Sequence, residues 1–121
     1  MVLSLLLCGV AATHIVRNTL YVDILSYMPK KLSKMSGLAI LNGDVWTHND
    51  TYGDNKLYRL NHDLTGIAQV VTINNIRNHD WEAIYWYGIG KLLITAERNP
   101  LNKAVIGIVD VQKLLDAGES R

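Results

Sequence analysis

The sequence predicts an all-β chain: a partial β-propeller of about two four-stranded antiparallel blades, preceded by a leading strand. Two observations carry this. From Ser36 onward, short runs rich in β-branched, aromatic and aliphatic residues alternate with turns made of Gly, Asn and Asp. The order then repeats: Ser36 with Glu82, Asp50 with Glu97 and Leu57 with Val105 stand at offsets of 46, 47 and 48 residues. A repeat near that length holding four short strands is the size of a propeller blade, for which roughly 40 to 50 residues is usual. The same strands also fit two unrelated meanders in a small sandwich or barrel.

The organisation follows in chain order. Residues 1–17 contain an apolar run, Val2 to Ala12 broken only by Ser4, with small residues near its end. It reads as a signal-peptide core, implying a secreted or periplasmic protein, although no Lys or Arg precedes it. A buried N-terminal element, which would leave a cytoplasmic protein, and a gene-boundary artefact are the other readings. Residues 18–35 hold a predicted strand, Asn18 to Leu25, and a polar connection after Pro29. Residues 36–78 make the first blade. Leu38–Leu41 is its first strand, Asn42-Gly43 a hairpin dipeptide, and Val45–Thr47, Leu57–Leu60 and Ile67–Ile73 the next three. Residues 79–121 make the second blade, with strands at Trp81–Tyr87, Leu92–Ala96 and Ala104–Val109. Residues 111–115 suit either a short helix or a further outer strand.

Composition narrows the function classes. The chain has 121 residues, 49% of them hydrophobic, and a formal net charge of +1, as expected of a folded domain and not of a disordered segment. Its Lys and Arg residues are scattered, so the basic patch that nucleic acid requires is missing and no nucleic-acid partner is expected. Cys8 is the one cysteine, which excludes an internal disulfide and a multi-cysteine zinc site. The apolar leader is too short to be a transmembrane span.

The strings SGLAILNGDVWTHND, KLYRL, NHDWEAI and LLITAE resemble bacterial secreted β-propeller proteins. In these, an SGL-type blade start with a later Trp and Asp is followed by L-Y-x-I/L and then D-x-E-x-I. The resemblance spans about residues 36–97 and points to six-bladed propellers of the SdiA-regulated, phytase-esterase-like and NHL-type groups. Two departures stand out: Ala83 where the family carries Gly, and Thr51-Tyr52 where it carries a Ser-Gly pair. A closed ring needs roughly four to eight blades, so further blades or self-association are expected to complete it.

Related calcium-dependent propellers place acidic residues at blade starts, so the resemblance makes Asp80 and Glu82 candidate Ca²⁺ ligands. Ca²⁺ takes six to eight oxygen ligands, and one blade offers only part of that shell. Asp50 and Asp54, with Asn49 and Asn55, are a weaker second set, because their spacing departs from the D-x-[DN]-x-[DN]-G loop. His79 beside Asp80 is the candidate catalytic base, though no G-x-S-x-G elbow accompanies it. His48, His62 and His79 lack zinc-motif spacing. Strand alternation places Trp81, Tyr85 and Tyr87 on one face and Trp86 on the other. Core packing is the ordinary use of such rings; if exposed, Tyr85, Trp86 and Tyr87 could bind a peptide or glycan.

Three functions fit these residues. The chain is an interaction or ligand-binding module with a protein, peptide or glycan partner, a fragment of a secreted, calcium-dependent esterase, lactonase or phosphoester hydrolase, or a truncated remnant. The first requires no complete catalytic set.

Overall fold

Asn42 and Gly43 both adopt positive φ, 51° and 81°, the pair of conformations that a two-residue type I′ hairpin demands. In the computed structural model, which describes residues 18–98 and 101–113, this hairpin joins β1 (Met35–Leu41) to β2 (Asp44–Asn49). β3 (Lys56–Leu60) and β4 (Ile67–Thr72) complete a four-stranded antiparallel sheet in the order β1-β2-β3-β4. The β3 to β4 turn is held by Asn61, whose Oδ1 accepts the N–H groups of Thr65 and Gly66 at 2.9 and 3.0 Å. A second sheet, ordered β5-β6-β7, contains β5 (Trp81–Trp86), β6 (Lys91–Ala96) and β7 (Val105–Asp110).

The all-β expectation holds, with two antiparallel sheets and no closed ring among the described residues. The leading strand does not form. Residues 18–29 enter no ladder, and Leu20, Tyr21 and Val22 are about nine-tenths exposed. Their β-branched and aromatic content favours a strand only where an edge exists to pair with and a face to pack on, and neither is beside them. The segment instead leads into a short 3₁₀ turn, Lys30–Leu32, closed by the Leu32 N–H on the Pro29 carbonyl at 2.8 Å. The second sheet shows three strands. After β7 the chain leaves the ladder at Val111 and is helical at Gln112 and Lys113. Residues 1–17, the proposed leader, and 114–121 lie outside the described residues.

The repeat has a geometric counterpart. In the first sheet Met35 pairs with Asn49 and Gly37 with His48, leaving Ser36 as a bulge; in the second, Trp81 pairs with Ala96 and Ala83 with Thr95, leaving Glu82 as the bulge. One backbone bond closes each pair of strands beyond the bulge: the Asp50 N–H to the Lys34 carbonyl, and the Glu97 N–H to the Asp80 carbonyl, both 3.0 Å. The register refines the third strand. Trp46 lies opposite Arg59 and Leu93 opposite Ile108, so Leu57 corresponds to Ile106 and not to Val105.

The bulge also corrects the aromatic face. Ladder alternation is interrupted at Glu82, so Trp81 and Ile84 both turn inward while Tyr85 turns out. Between the sheets lies the main core, built on Ala39, Leu41, Trp46 and Leu57 from one side and Trp81, Ile84, Leu92 and Ile94 from the other. Truncating a fully buried Trp such as Trp46 or Trp81 removes about 3–5 kcal/mol. A smaller cluster, Leu32, Tyr58 and Leu60, sits under the 3₁₀ turn with Met28 and Val45. At Gly37 the sheets approach closely: a Cβ there would stand 3.0 Å from the Ile84 nitrogen.

Asn78 joins the two sheets through hydrogen bonds and is itself wholly buried. Its Nδ2 donates to the carbonyls of Asn49 (2.8 Å) and Asp54 (3.0 Å), and its Oδ1 accepts the Trp81 N–H at 2.9 Å. Its backbone N–H reaches Asn55 Oδ1 at 2.6 Å, and its carbonyl receives the Gly53 N–H at 3.0 Å. Removing such a group leaves buried carbonyls and an N–H without partners, at about 1–3 kcal/mol each. Asn78→Ala is therefore expected to lose at least ~2 kcal/mol in urea unfolding. Asn78→Asp, which sets an acceptor against the two carbonyls, should lose as much. An Asp variant with the wild-type urea midpoint would refute this role.

Candidate functional site

The acidic candidates and His79 lie toward the end of the sheets where β1 and β5 begin. The bulged Ser36 and Glu82 meet there directly, Ser36 Oγ donating to the Glu82 carbonyl at 3.1 Å. The Glu82 side chain is exposed. Asp80, two residues earlier, has a left-handed backbone with φ 57°, and its carbonyl is occupied by the Glu97 N–H. A bulge commonly re-aims a side chain at a sheet end, and here it turns two successive positions, Glu82 and Ala83, outward. Among the described residues, no group of three or more His, Cys, Asp or Glu side chains is placed to hold a metal ion.

Asp54 has a structural task. Its carboxylate accepts the Tyr58 hydroxyl at 2.9 and 3.0 Å and the Asn49 amide at 2.8 Å, with Lys56 Nζ at 3.7 Å. Burial, reinforced by the neighbouring Asp54 charge and hydrogen bond, pushes the Tyr58 hydroxyl up to about 12, so it stays a donor. Asn49 also donates to the Lys31 carbonyl at 2.9 Å, which ties the 3₁₀ turn to the same network. Asp50 contributes its backbone N–H to the Lys34 carbonyl.

His79 lies against Tyr52, ring centroids 4.7 Å apart and edge to face, and the Arg77 guanidinium stands 5.1 Å from the same Tyr52 ring. Its Nε2 is buried without a hydrogen-bond partner. Tyr85, Trp86 and Tyr87 lie at the far end of β5, away from Asp80 and Glu82, and more than half of each is exposed. The acidic and aromatic candidates are therefore separate surfaces. Tyr85 and Tyr87 share the outer face of the second sheet, whereas Trp86 pairs with Leu92 on the opposite face.

Two residues organise this end, one of which the sequence did not single out. Asn78 is one; the signal for it was an Asn three positions before the first residue of a strand, where its side chain can accept the Trp81 N–H. Asn49, grouped with Asp54 only as a weak Ca²⁺ candidate, is the other: its amide donates to Asp54 and to the Lys31 carbonyl. His48, weighed only for zinc, occupies the seam between the sheets. It is wholly buried, its ring edge-on to Trp81 at 5.9 Å. Nδ1 donates to the Asn49 carbonyl at 3.0 Å, which leaves Nε2 as a lone-pair nitrogen with no partner.

Burial drives the His48 pKa down from 6.5, against opposing pulls from the Asn49 carbonyl and from Asp50, Glu82 and Asp54. The folded protein therefore holds His48 neutral. Its contribution to stability is complete above about pH 6.5 and declines as the pH falls toward the lowered folded value, because the unfolded chain takes up the proton first. Unfolding free energy should drop between pH 7 and 5.5 by at most ~1.4 kcal/mol per pH unit from this residue. The His48 ring resonance should titrate below 6.5 in NMR, and a midpoint at or above that value would contradict the assignment. Comparison with protein-family models, with curated proteins and with solved structures finds no match for this chain.

Proposed function

We propose that the chain is an interaction module of β-propeller type, in which the two sheets are neighbouring units and the outer face of the second receives a further sheet of the same kind. One observation carries this reading: residues at equivalent positions differ in burial. Ala39, Trp46 and Leu57 of the first sheet are covered by the second. Their counterparts Tyr85, Leu93 and Ile106 face outward with Ile108, and Tyr85, Ile106 and Ile108 are 69%, 71% and 59% exposed. Isolated exposed apolar residues are ordinary on a protein surface. A row of them, spread over neighbouring strands and matching a buried row one repeat earlier, marks a surface built for contact.

The remainder of the molecule is compatible with this role. The bulged strand starts, with Ser36, Asp80 and Glu82, form a polar end that a ring of such units would gather around its axis. Tyr87 continues the outer face toward the β5 to β6 turn, where Trp86 and Ile89 are also exposed, so a peptide or glycan could lie along that edge. No helix among the described residues is long and apolar enough to cross a membrane. The extracellular or periplasmic setting implied by residues 1–17 belongs to the same proposal.

Sedimentation velocity on the full chain tests it. Self-association that rises with concentration is expected, and Ile106→Lys, at an exposed strand position, should shift the population to monomer while leaving the far-ultraviolet spectrum unchanged. A chain that stays monomeric at high concentration, and that Ile106→Lys leaves unaltered, would overturn the reading.

A further inference from the structure

A second surface is chemically distinct from the apolar face. Between the sheets, at the end where β5 begins, a cleft of about 450 Å³ is bounded by Asn55 before β3, the connection from β4 to β5, and the residues at and just beyond the end of β6. Its walls carry Arg77 and Arg98, and its apolar side is Ile76, Ala96 and Val105. Asn74 and Asn75 complete the rim. The volume lies in the ordinary range for small-molecule sites, roughly 300–1,000 Å³.

The charge around it is one-sided. None of the lining residues is acidic, and the described ion pairs, Lys56 with Asp54 and Arg59 with Asp44, involve neither arginine of the cleft. In a chain whose charges otherwise nearly balance, two arginines and no acidic residue line one small cleft. An anion entering the cleft is attracted by both cationic residues and repelled by no acidic lining residue.

Parts of the cleft are also held in place. Arg77 is fixed at both ends: its carbonyl accepts the Trp81 indole N–H at 3.3 Å, and its guanidinium stacks on Tyr52. Asn55 Oδ1 is taken by the Asn78 N–H, which fixes the amide orientation and leaves Nδ2 to donate. Ile76 packs onto β7 where Gly107 has no side chain, seating the β4 to β5 connection against the second sheet. Arginine is the side chain best shaped for two-point contact with a carboxylate or phosphate.

We propose that this cleft binds a small organic anion, its carboxylate or phosphate held by Arg77, Arg98 and Asn55 and its apolar body resting on Ile76, Ala96 and Val105. This goes beyond the interaction-module reading and does not depend on ring closure, because every residue involved comes from the two sheets and their connections. The site would work equally in a free chain or an assembled one.

Titration of the full-length chain with phenyl phosphate, benzoate, inorganic phosphate and neutral benzamide, followed by amide NMR shifts, tests it. Saturable shifts centred on residues 74–77 and 96–98 are expected with at least one of the two aromatic anions. Comparing those two tells phosphate from carboxylate, and inorganic phosphate measures the contribution of the apolar body. Benzamide should bind at least roughly tenfold more weakly than the preferred anion, and added salt should weaken the anion. Arg77→Gln should reduce affinity by roughly tenfold or more. Arg98→Gln, at an exposed position outside the core, should do the same if the first variant disturbs the fold. Lys91→Gln, at the opposite end of β6, should leave affinity unchanged. No saturable shift with either aromatic anion, equal binding of benzamide, or equal weakening by Lys91→Gln would each overturn the proposal.

Discussion

The packing of the two sheets depends on a buried amide. Asn78 has no exposed surface, and each of its polar groups has a partner drawn from the end of β2, the β2 to β3 turn or the start of β5. A hydrophobic interface is non-directional and by itself tolerates sliding. A fully satisfied amide in low dielectric does not, because displacing it would leave several buried groups without partners at once. Asn78 thus sets the depth at which Trp81 enters the core, and Trp81 in turn supports both His48 and the Arg77 backbone.

The neighbouring network extends the same constraint. Asp54, Tyr58, Asn49 and the Lys31 carbonyl form a connected set that fastens the 3₁₀ turn over the outer face of the first sheet. This explains an asymmetry between the sheets. The first has Leu32 and Met28 over part of its outer side, whereas the second leaves Tyr85, Ile106 and Ile108 uncovered. The apolar surface proposed for partner contact is the one that the chain's own preceding segment does not reach. The bulges at Ser36 and Glu82, the seam at His48 and the arginine-lined cleft lie toward the end where β1 and β5 begin.

Neutral His48 fits this arrangement. Its Nε2 lies close to where Gly37 passes Ile84, so a proton there would put an unpaired charge into a close-packed part of the seam. Carboxylates at Asp50, Glu82 and Asp54 pull toward protonation, but burial outweighs them. The sheets therefore pack best with an uncharged imidazole between them.

Much of the fold was legible in local sequence, and for a physical reason. Strand positions in β1 to β7 follow from runs of β-branched, aromatic and aliphatic residues and from turn residues such as Asn42-Gly43, whose conformations are local properties. The repeat near 47 residues was likewise visible, and the bulges at Ser36 and Glu82 fall at its matched positions. Tertiary structure decided the rest. The segment from Asn18 to Leu25 has strand composition, yet strand formation needs a partner edge that composition does not encode. Tyr85 and Trp81 share parity in sequence, but a bulge set by sheet pairing sends one outward and the other into the core. Asn78, Asn49 and the cleft arginines draw their roles from neighbours distant in sequence, and such long-range contacts exist only once the sheets have packed.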